Sequence, residues 1–126
     1  MSEILQTINV LAVDDEASLR RLYEIFFKRM GHRVVSCEDG LDAVEFYRKS
    51  WKDIDVVILD MEMPKMNGKE AYFEMRKINP DARVLLTSGL NMEDETQLLM
   101  NSGVKGFIQK PFNAKDLSER VKNAIN

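Results

Sequence analysis

Asp14, Asp15, Asp60, Ser88 and Lys110 are residue types that phosphate chemistry uses, and each stands at the end of an apolar run. INVLAV leads into Asp14 and Asp15, and IDVVIL into Asp60. RVLLT leads into Ser88, and VKGFIQ into Lys110 and Pro111. If these runs are parallel strands of one sheet, the carboxylates, the hydroxyl and the ammonium meet at one edge. Carboxylates that close repel one another unless a cation sits among them. The set therefore points to a divalent metal and a phosphoryl group.

An acid before a helix is favourable at the helix N-terminus, which accounts for one acid but not for Asp14, Asp15 and Glu16 together. Adjacent acids after a buried strand suit Mg²⁺, which takes oxygen ligands, usually one or two carboxylates plus water. Asp60 alone reads as a turn residue; beside the Asp pair it is a candidate nucleophile, because a carboxylate can attack phosphorus to give an acyl phosphate. The metal would neutralise the phosphoryl oxygens, which is most of what phosphoryl transfer requires of a protein.

Lys110 ends a buried run, so its stem can reach the acidic edge, whereas Lys49 and Lys65 read as solvated surface cations. Pro111 allows a cis bond that would aim Lys110. Thr87 and Ser88 both offer hydroxyls, but side chains alternate along a strand, so only one faces the site. Met61, Met63 and Met66 read as gap fillers, with Pro64 and Gly68 shaping the same loop. His32 has no second ligand nearby and is not read as metal-binding. Trp51 lies before the third strand, at the edge opposite the acids. The single Cys37 excludes an intrachain disulfide and a Cys-based zinc cluster, and reads as a small core residue on a strand.

These residues need a scaffold, and 126 residues suit one domain, 1–126, with one core. Apolar residues make up 44% and charged residues 31%, an ordinary globular balance. The net charge of -3 disfavours direct nucleic-acid binding. No apolar stretch reaches the roughly 18 residues of a membrane span, and MSEILQTINV is no secretory signal. A reducing cytoplasm is the expected compartment.

Residues 8–13, 33–37, 54–59, 83–88 and 105–109 are short runs rich in Val, Ile and Leu, as expected of strands buried on both faces of a parallel sheet. Helical patterns lie between them. Leu19, Leu22, Tyr23, Phe26, Phe27 and Met30 make one stripe, closed by Gly31. Leu41, Val44 and Tyr47 mark a second helix, and Ala71, Tyr72, Met75 and Ile78 a third. Leu117, Val121, Ala124 and Ile125 mark the last. The fourth, about residues 92–101, is weakest, since Glu93 to Gln97 are polar throughout. Asn67 with Glu70, Asn91 with Asp94, and Asn113 with Asp116 each have capping-box spacing. Alternating strands and helices imply an α/β/α three-layer sandwich with right-handed crossovers. Ligands then bind at the carboxyl ends of the strands, where the strand order reverses.

VDDE at 13–16, LDMEMPKMNG at 59–68, TSG at 87–89 and KPF at 110–112 resemble, as an ordered set, the receiver domain of bacterial two-component response regulators. The resemblance covers nearly the whole chain. It implies a flavodoxin-like (βα)₅ fold with a five-stranded parallel sheet of order 2-1-3-4-5. Asp60 would be the phosphoacceptor, fed by a phosphohistidine on a sensor histidine kinase or a histidine phosphotransfer protein. Asp15 and Asp60 would bind Mg²⁺, or Mn²⁺ in its place, directly, with Asp14 acting largely through water and the Glu62 carbonyl completing the set. Lys110 would pair with Asp60 or its phosphoryl group. The family's spacing, 28 residues after the acceptor and 22 before the lysine, selects Ser88 over Thr87 as the switch hydroxyl. Phe107, three before the lysine, would be its switch partner, altering the face built from helix four, strand five and helix five.

Two residues depart from the common pattern. Glu62 stands where many members carry a neutral residue, which leaves the phosphoryl lifetime open. Phe107 replaces a tyrosine, so it brings no hydroxyl to the output face. A haloacid-dehalogenase-type phosphatase also uses an Asp nucleophile with Mg²⁺, but its nucleophile follows the first strand and it needs a cap domain. A receiver that only binds would lack site residues that are all present here. A flavodoxin needs a phosphate cradle where this chain has acids. The expectation is a phosphoacceptor signalling domain, not an enzyme with a separate substrate.

Overall fold

A computed structural model describes residues 6–90 and 93–126, without the side chains of Glu93 and Asp94. The strands are β1 (Asn9–Val13), β2 (Arg33–Cys37), β3 (Val56–Asp60), β4 (Val84–Ser88) and β5 (Gly106–Gln109). The helices are α1 (Ala17–Arg29), α2 (Gly40–Ser50), α3 (Gly68–Ile78), α4 (Glu93–Asn101) and α5 (Ala114–Ile125). All strand pairs are parallel, in the order β2-β1-β3-β4-β5. The expected α/β/α sandwich and strand order are both present.

Alternation along the strands divides the core into two layers. Val10, Ala12, Val56, Ile58 and Leu85 pack with Tyr23 and Phe27 of α1 and Leu117 and Val121 of α5. Leu11, Val13, Val57, Leu59 and Leu86 pack on the other face with Ala43, Tyr47, Tyr72, Met75 and Leu99. So α1 and α5 cover one face, and α2, α3 and α4 the other. Capping boxes at Asn67 and Asn113 start α3 and α5 as their spacing predicts. The third, Asn91 with Asp94, lies outside the described residues. Gly31 closes α1 with φ of 84°, a left-handed conformation that costs glycine little.

Several expectations need correction. β3 begins at Val56 rather than 54, because Trp51–Asp53 form a 3₁₀ turn. The Asp55 carboxylate accepts from the Asn9 amide at 2.7 Å, marking the entry to that strand. Asp60 is consequently the last residue of β3, held by the sheet rather than by a loop. β2 is not buried on both faces: it lies outermost, with Arg33 and Val35 exposed. In α2, Leu41 faces solvent, and Gly40, Ala43, Val44 and Tyr47 form the buried stripe. In α1, only Tyr23 and Phe27 are fully buried, while Leu22 and Met30 line an apolar groove with Phe112 and Leu117.

Candidate functional site

β1 and β3 run in parallel with Val13 beside Leu59, which brings Asp14 and Asp15 next to Asp60. One carboxylate oxygen from each of Asp14, Asp15 and Asp60 lies within 4.8 Å of the others. Asp14 and Asp60 are buried, and Asp15 is exposed. β5 delivers Lys110 to the same edge, through the cis Lys110–Pro111 bond that the sequence allowed. Its Nζ stands 3.0 Å from Asp14 Oδ2 and 3.2 Å from Asp60 Oδ1.

Main-chain donors orient both buried acids. The Glu16 amide donates to Asp14 Oδ1 at 2.9 Å, and the Glu62 amide to Asp60 Oδ1 at 3.2 Å. Arg20, which sequence reasoning passed over, donates to the Asp14 carbonyl at 2.8 Å. One ammonium thus faces three carboxylates. Burial, and then the charge of Asp14, push the Asp60 carboxyl up to about 6, against the pull of Lys110. Burial opposes the Lys110 charge, but its bond to Asp14 and the charges of Asp60 and Asp14 outweigh this and raise its pKa. A pocket of carboxylate oxygens, short of positive charge and open to water at Asp15, has the donor chemistry that a hard cation prefers.

The alternation along β4 separates the two hydroxyls. Thr87 is fully buried and lies near the buried hydroxyl of Tyr23, and neither makes a well-formed hydrogen bond. Ser88 turns the other way and donates to Glu62 Oε2 at 2.8 Å. Glu62 Oε1 accepts from the Gly89 amide at 3.1 Å. The Glu62 side chain is therefore turned to the β4–α4 loop and is not one of the three clustered acids. Nothing in the spacing of Glu62 and Ser88 signalled this contact, since it joins the loop after β3 to the end of β4. Phe107 is half-buried beside Leu86 and packs on the core layer under α2, α3 and α4.

The remaining candidates have structural roles. Glu38, Asp39 and Asp42 form a second acidic group, but Asp39 caps α2 and pairs with Lys65 at 3.4 Å. Lys65 is thus an ion-pair partner of a buried acid, not merely solvated; Lys49 is the exposed cation expected. His32 is buried and accepts from the Ile8 amide at 3.2 Å through Nδ1, and burial lowers its pKa. Cys37 is half-buried, and burial, then Asp42 and Asp39, push its thiol up to about 11. Met61, Met63 and Met66 fill the core around the loop after β3. Trp51 is half-buried in the 3₁₀ turn before β3, at the end of that strand away from the acids. No helix among the described residues is long and apolar enough to cross a membrane.

Comparison with known proteins agrees with this geometry. The chemotaxis protein CheY of Thermotoga maritima is 35% identical over 118 residues, which cover 93% of this chain and 93% of that one. The probable transcriptional regulator ycf27 of Porphyridium aerugineum is 31% identical over 121 residues, 96% of this chain but 49% of the other. The chain thus spans about half the length of the first curated relatives it matches. Among solved structures, the CheX-CheY-BeF₃-Mg²⁺ complex from Borrelia burgdorferi contains a chain of similar fold. Its TM-score is 0.84 at 33% identity, over 90% of this chain and 86% of that one. Residues 10–122 match the model of the response regulator receiver domain. With two buried acids and a lysine at the carboxyl edge of a 2-1-3-4-5 sheet, the chain belongs to the response regulator receiver domain family of two-component systems.

Proposed function

We propose that Asp60 accepts a phosphoryl group from a phosphohistidine on a sensor histidine kinase or histidine phosphotransfer protein, in a reaction that depends on Mg²⁺. The observation that carries this reading is the meeting of Asp14, Asp15 and Asp60 within 4.8 Å, with Lys110 bonded to two of them. The Borrelia structure, a CheY bound with BeF₃ and Mg²⁺, lends support by its similarity.

Asp60 Oδ1 takes the bonds from Lys110 and the Glu62 amide, and Oδ2, which takes neither, is the attacking oxygen. Its electron pair forms the O–P bond as the P–N bond of the phosphohistidine breaks. The imidazole nitrogen keeps the electron pair of the broken P–N bond and takes a proton from solvent. Asp14, Asp15, Asp60 and the Glu62 carbonyl would hold Mg²⁺, or Mn²⁺ in its place. When bound, the ion supplies neutralising charge to the phosphoryl oxygens. Lys110, fixed by Asp14, balances the acyl phosphate that results.

The chain acts only on its own phosphorylation and dephosphorylation, as a single domain working in the cytoplasm. Ser88 and Lys110 turn toward the phosphoryl oxygens, and Phe107 fills the space that Ser88 leaves. The α4–β5–α5 face then changes shape for a downstream protein or effector domain. Such a shift requires that the phosphoryl group contact the two states differently. Half-buried Phe107 and a thinly anchored α4, with Leu99 buried but Leu98 and Met100 exposed, support an element able to move.

Labelling with acetyl phosphate and Mg²⁺ tests this reading. One phosphoryl group per chain is expected, lost on EDTA treatment and in Asp60→Asn. Undiminished labelling of the Asn variant would remove Asp60 from the role.

A further inference from the structure

Glu62 spans the site. Its amide donates to Asp60, while its carboxylate crosses to the β4–α4 loop and takes two donors there. Those donors are the Ser88 hydroxyl at 2.8 Å and the Gly89 amide at 3.1 Å, one to each carboxylate oxygen. The Ser88 hydroxyl also approaches the Leu90 carbonyl, at a longer 3.3 Å, and accepts from the Leu90 amide at 3.0 Å. A hydroxyl has one proton to give. The shorter, charge-assisted bond to Glu62 claims it. The Gly89 amide likewise has a single proton. Both donors sit at the carboxyl end of β4, the strand paired with β3 so that Thr87 lies beside Asp60.

We propose that Glu62 is a positioning residue that occupies, in the unphosphorylated chain, the Ser88 and Gly89 donors that a phosphoryl group on Asp60 would otherwise engage. This rests on Asp60 being the phosphoacceptor. The carboxylate stands in for phosphoryl oxygens: it is anionic, it offers two acceptors, and it is only two residues from Asp60. Phosphorylation must displace it, because neither proton can serve two acceptors at full strength. Half-exposed Glu62 can then swing into water, where its charge is solvated. Glu62 thereby sets the threshold for the switch from the unphosphorylated side.

The experiment compares Glu62→Ala and Glu62→Gln with the unaltered chain, each with and without Ser88→Ala, using acetyl phosphate and Mg²⁺. Gln offers one acceptor oxygen where Glu offers two, so it should lie between Glu and Ala. Loss of the clasp should raise the labelling rate roughly tenfold for Ala, the scale of one charge-assisted bond. In the Ser88→Ala background the gain should fall to about threefold or less, since only the longer Gly89 bond remains to be released. A full gain there, removed by salt, would overturn the proposal and assign the effect to repulsion of the anionic donor. No gain from Ala in either background would also overturn it. The Gly89 amide resonance gives a readout independent of labelling, and should shift upfield in Glu62→Ala without any phosphodonor. An unmoved Gly89 resonance would overturn the clasp, whereas failure of the unaltered chain to label, with that resonance responding, would sink the Asp60 reading instead.

Discussion

Asp14 and Lys110 are separated by 96 residues of chain, yet their charged atoms lie 3.0 Å apart, with the carboxylate fully buried and the lysine partly so. The pair closes the sheet's carboxyl edge between β1 and β5, across β3 and β4. Breaking a buried pair by removing one partner is costly because a charge is left unpaired. Lys110→Met, which keeps most of the stem, should destabilise the chain by roughly 2–4 kcal/mol in urea titrations without metal. Mg²⁺ should restore part of that loss. A variant as stable as the original in EDTA would show that the pair contributes nothing.

Asp60 gives the metal-free chain a pH dependence whose sign can be worked out. Its pKa rises from 3.8 to about 6, through burial first and the Asp14 charge second. Between about pH 4 and pH 6 the folded chain holds a proton that the unfolded chain has released, so this group's contribution to stability falls as pH rises. The whole difference is worth at most about 3 kcal/mol. Asp60→Asn cannot ionise and should gain on the unaltered chain across that window, then keep a constant lead above it. Parallel stability curves for the two proteins in EDTA would refute this.

Metal binding should appear as a thermal shift. A ligand at ten times its Kd stabilises the folded state by about 1.4 kcal/mol, a few degrees in Tm for a domain of this size. Asp15→Asn leaves the buried pair intact, because Asp15 is exposed and outside it. It should therefore keep the metal-free Tm while losing most of the shift on adding Mg²⁺. An unchanged Mg²⁺ response would remove Asp15 from the ligand set.

Gly68 opens α3 directly after its Asn67 cap, and a Cβ there would meet the Asp60 carbonyl oxygen at 2.3 Å and Met61 Cα at 2.8 Å. Both are backbone atoms that cannot yield without moving the end of β3. Gly68→Ala should cost about 1–3 kcal/mol and slow labelling at Asp60. A variant with normal stability and labelling would show that the loop has slack.

The scaffold was legible because burial on both sides leaves a plain record in sequence. VVIL before Asp60 and LAV before Asp14 could hardly be anything but central strands. The Asn67 and Asn113 caps were visible because capping is local. Legibility failed where position in the sheet decides. Val35 has the same chemistry as Val57, but β2 lies outermost and leaves it exposed. Leu22 and Leu41 are apolar yet face outward, since only three dimensions decide which edge of a helical stripe is covered. Within the site, the three acids and Lys110 could be placed from the strand ends alone. The Glu62 contact with Ser88 and the Lys65 pairing with Asp39 could not, because each joins segments whose loops carry no periodic signal.

α4 is fastened to the sheet through Leu99, while Leu98 is 66% exposed and Met100 43%. A helix docked through so little apolar area should open in isolation, at a free energy well below that of unfolding the whole chain. Its backbone protons should trade with deuterated water long before those of β1 and β3, and in a separate kinetic phase. The central strands would then keep their carboxylates in register through each excursion, so that rearrangement at the rim leaves the acidic edge undisturbed.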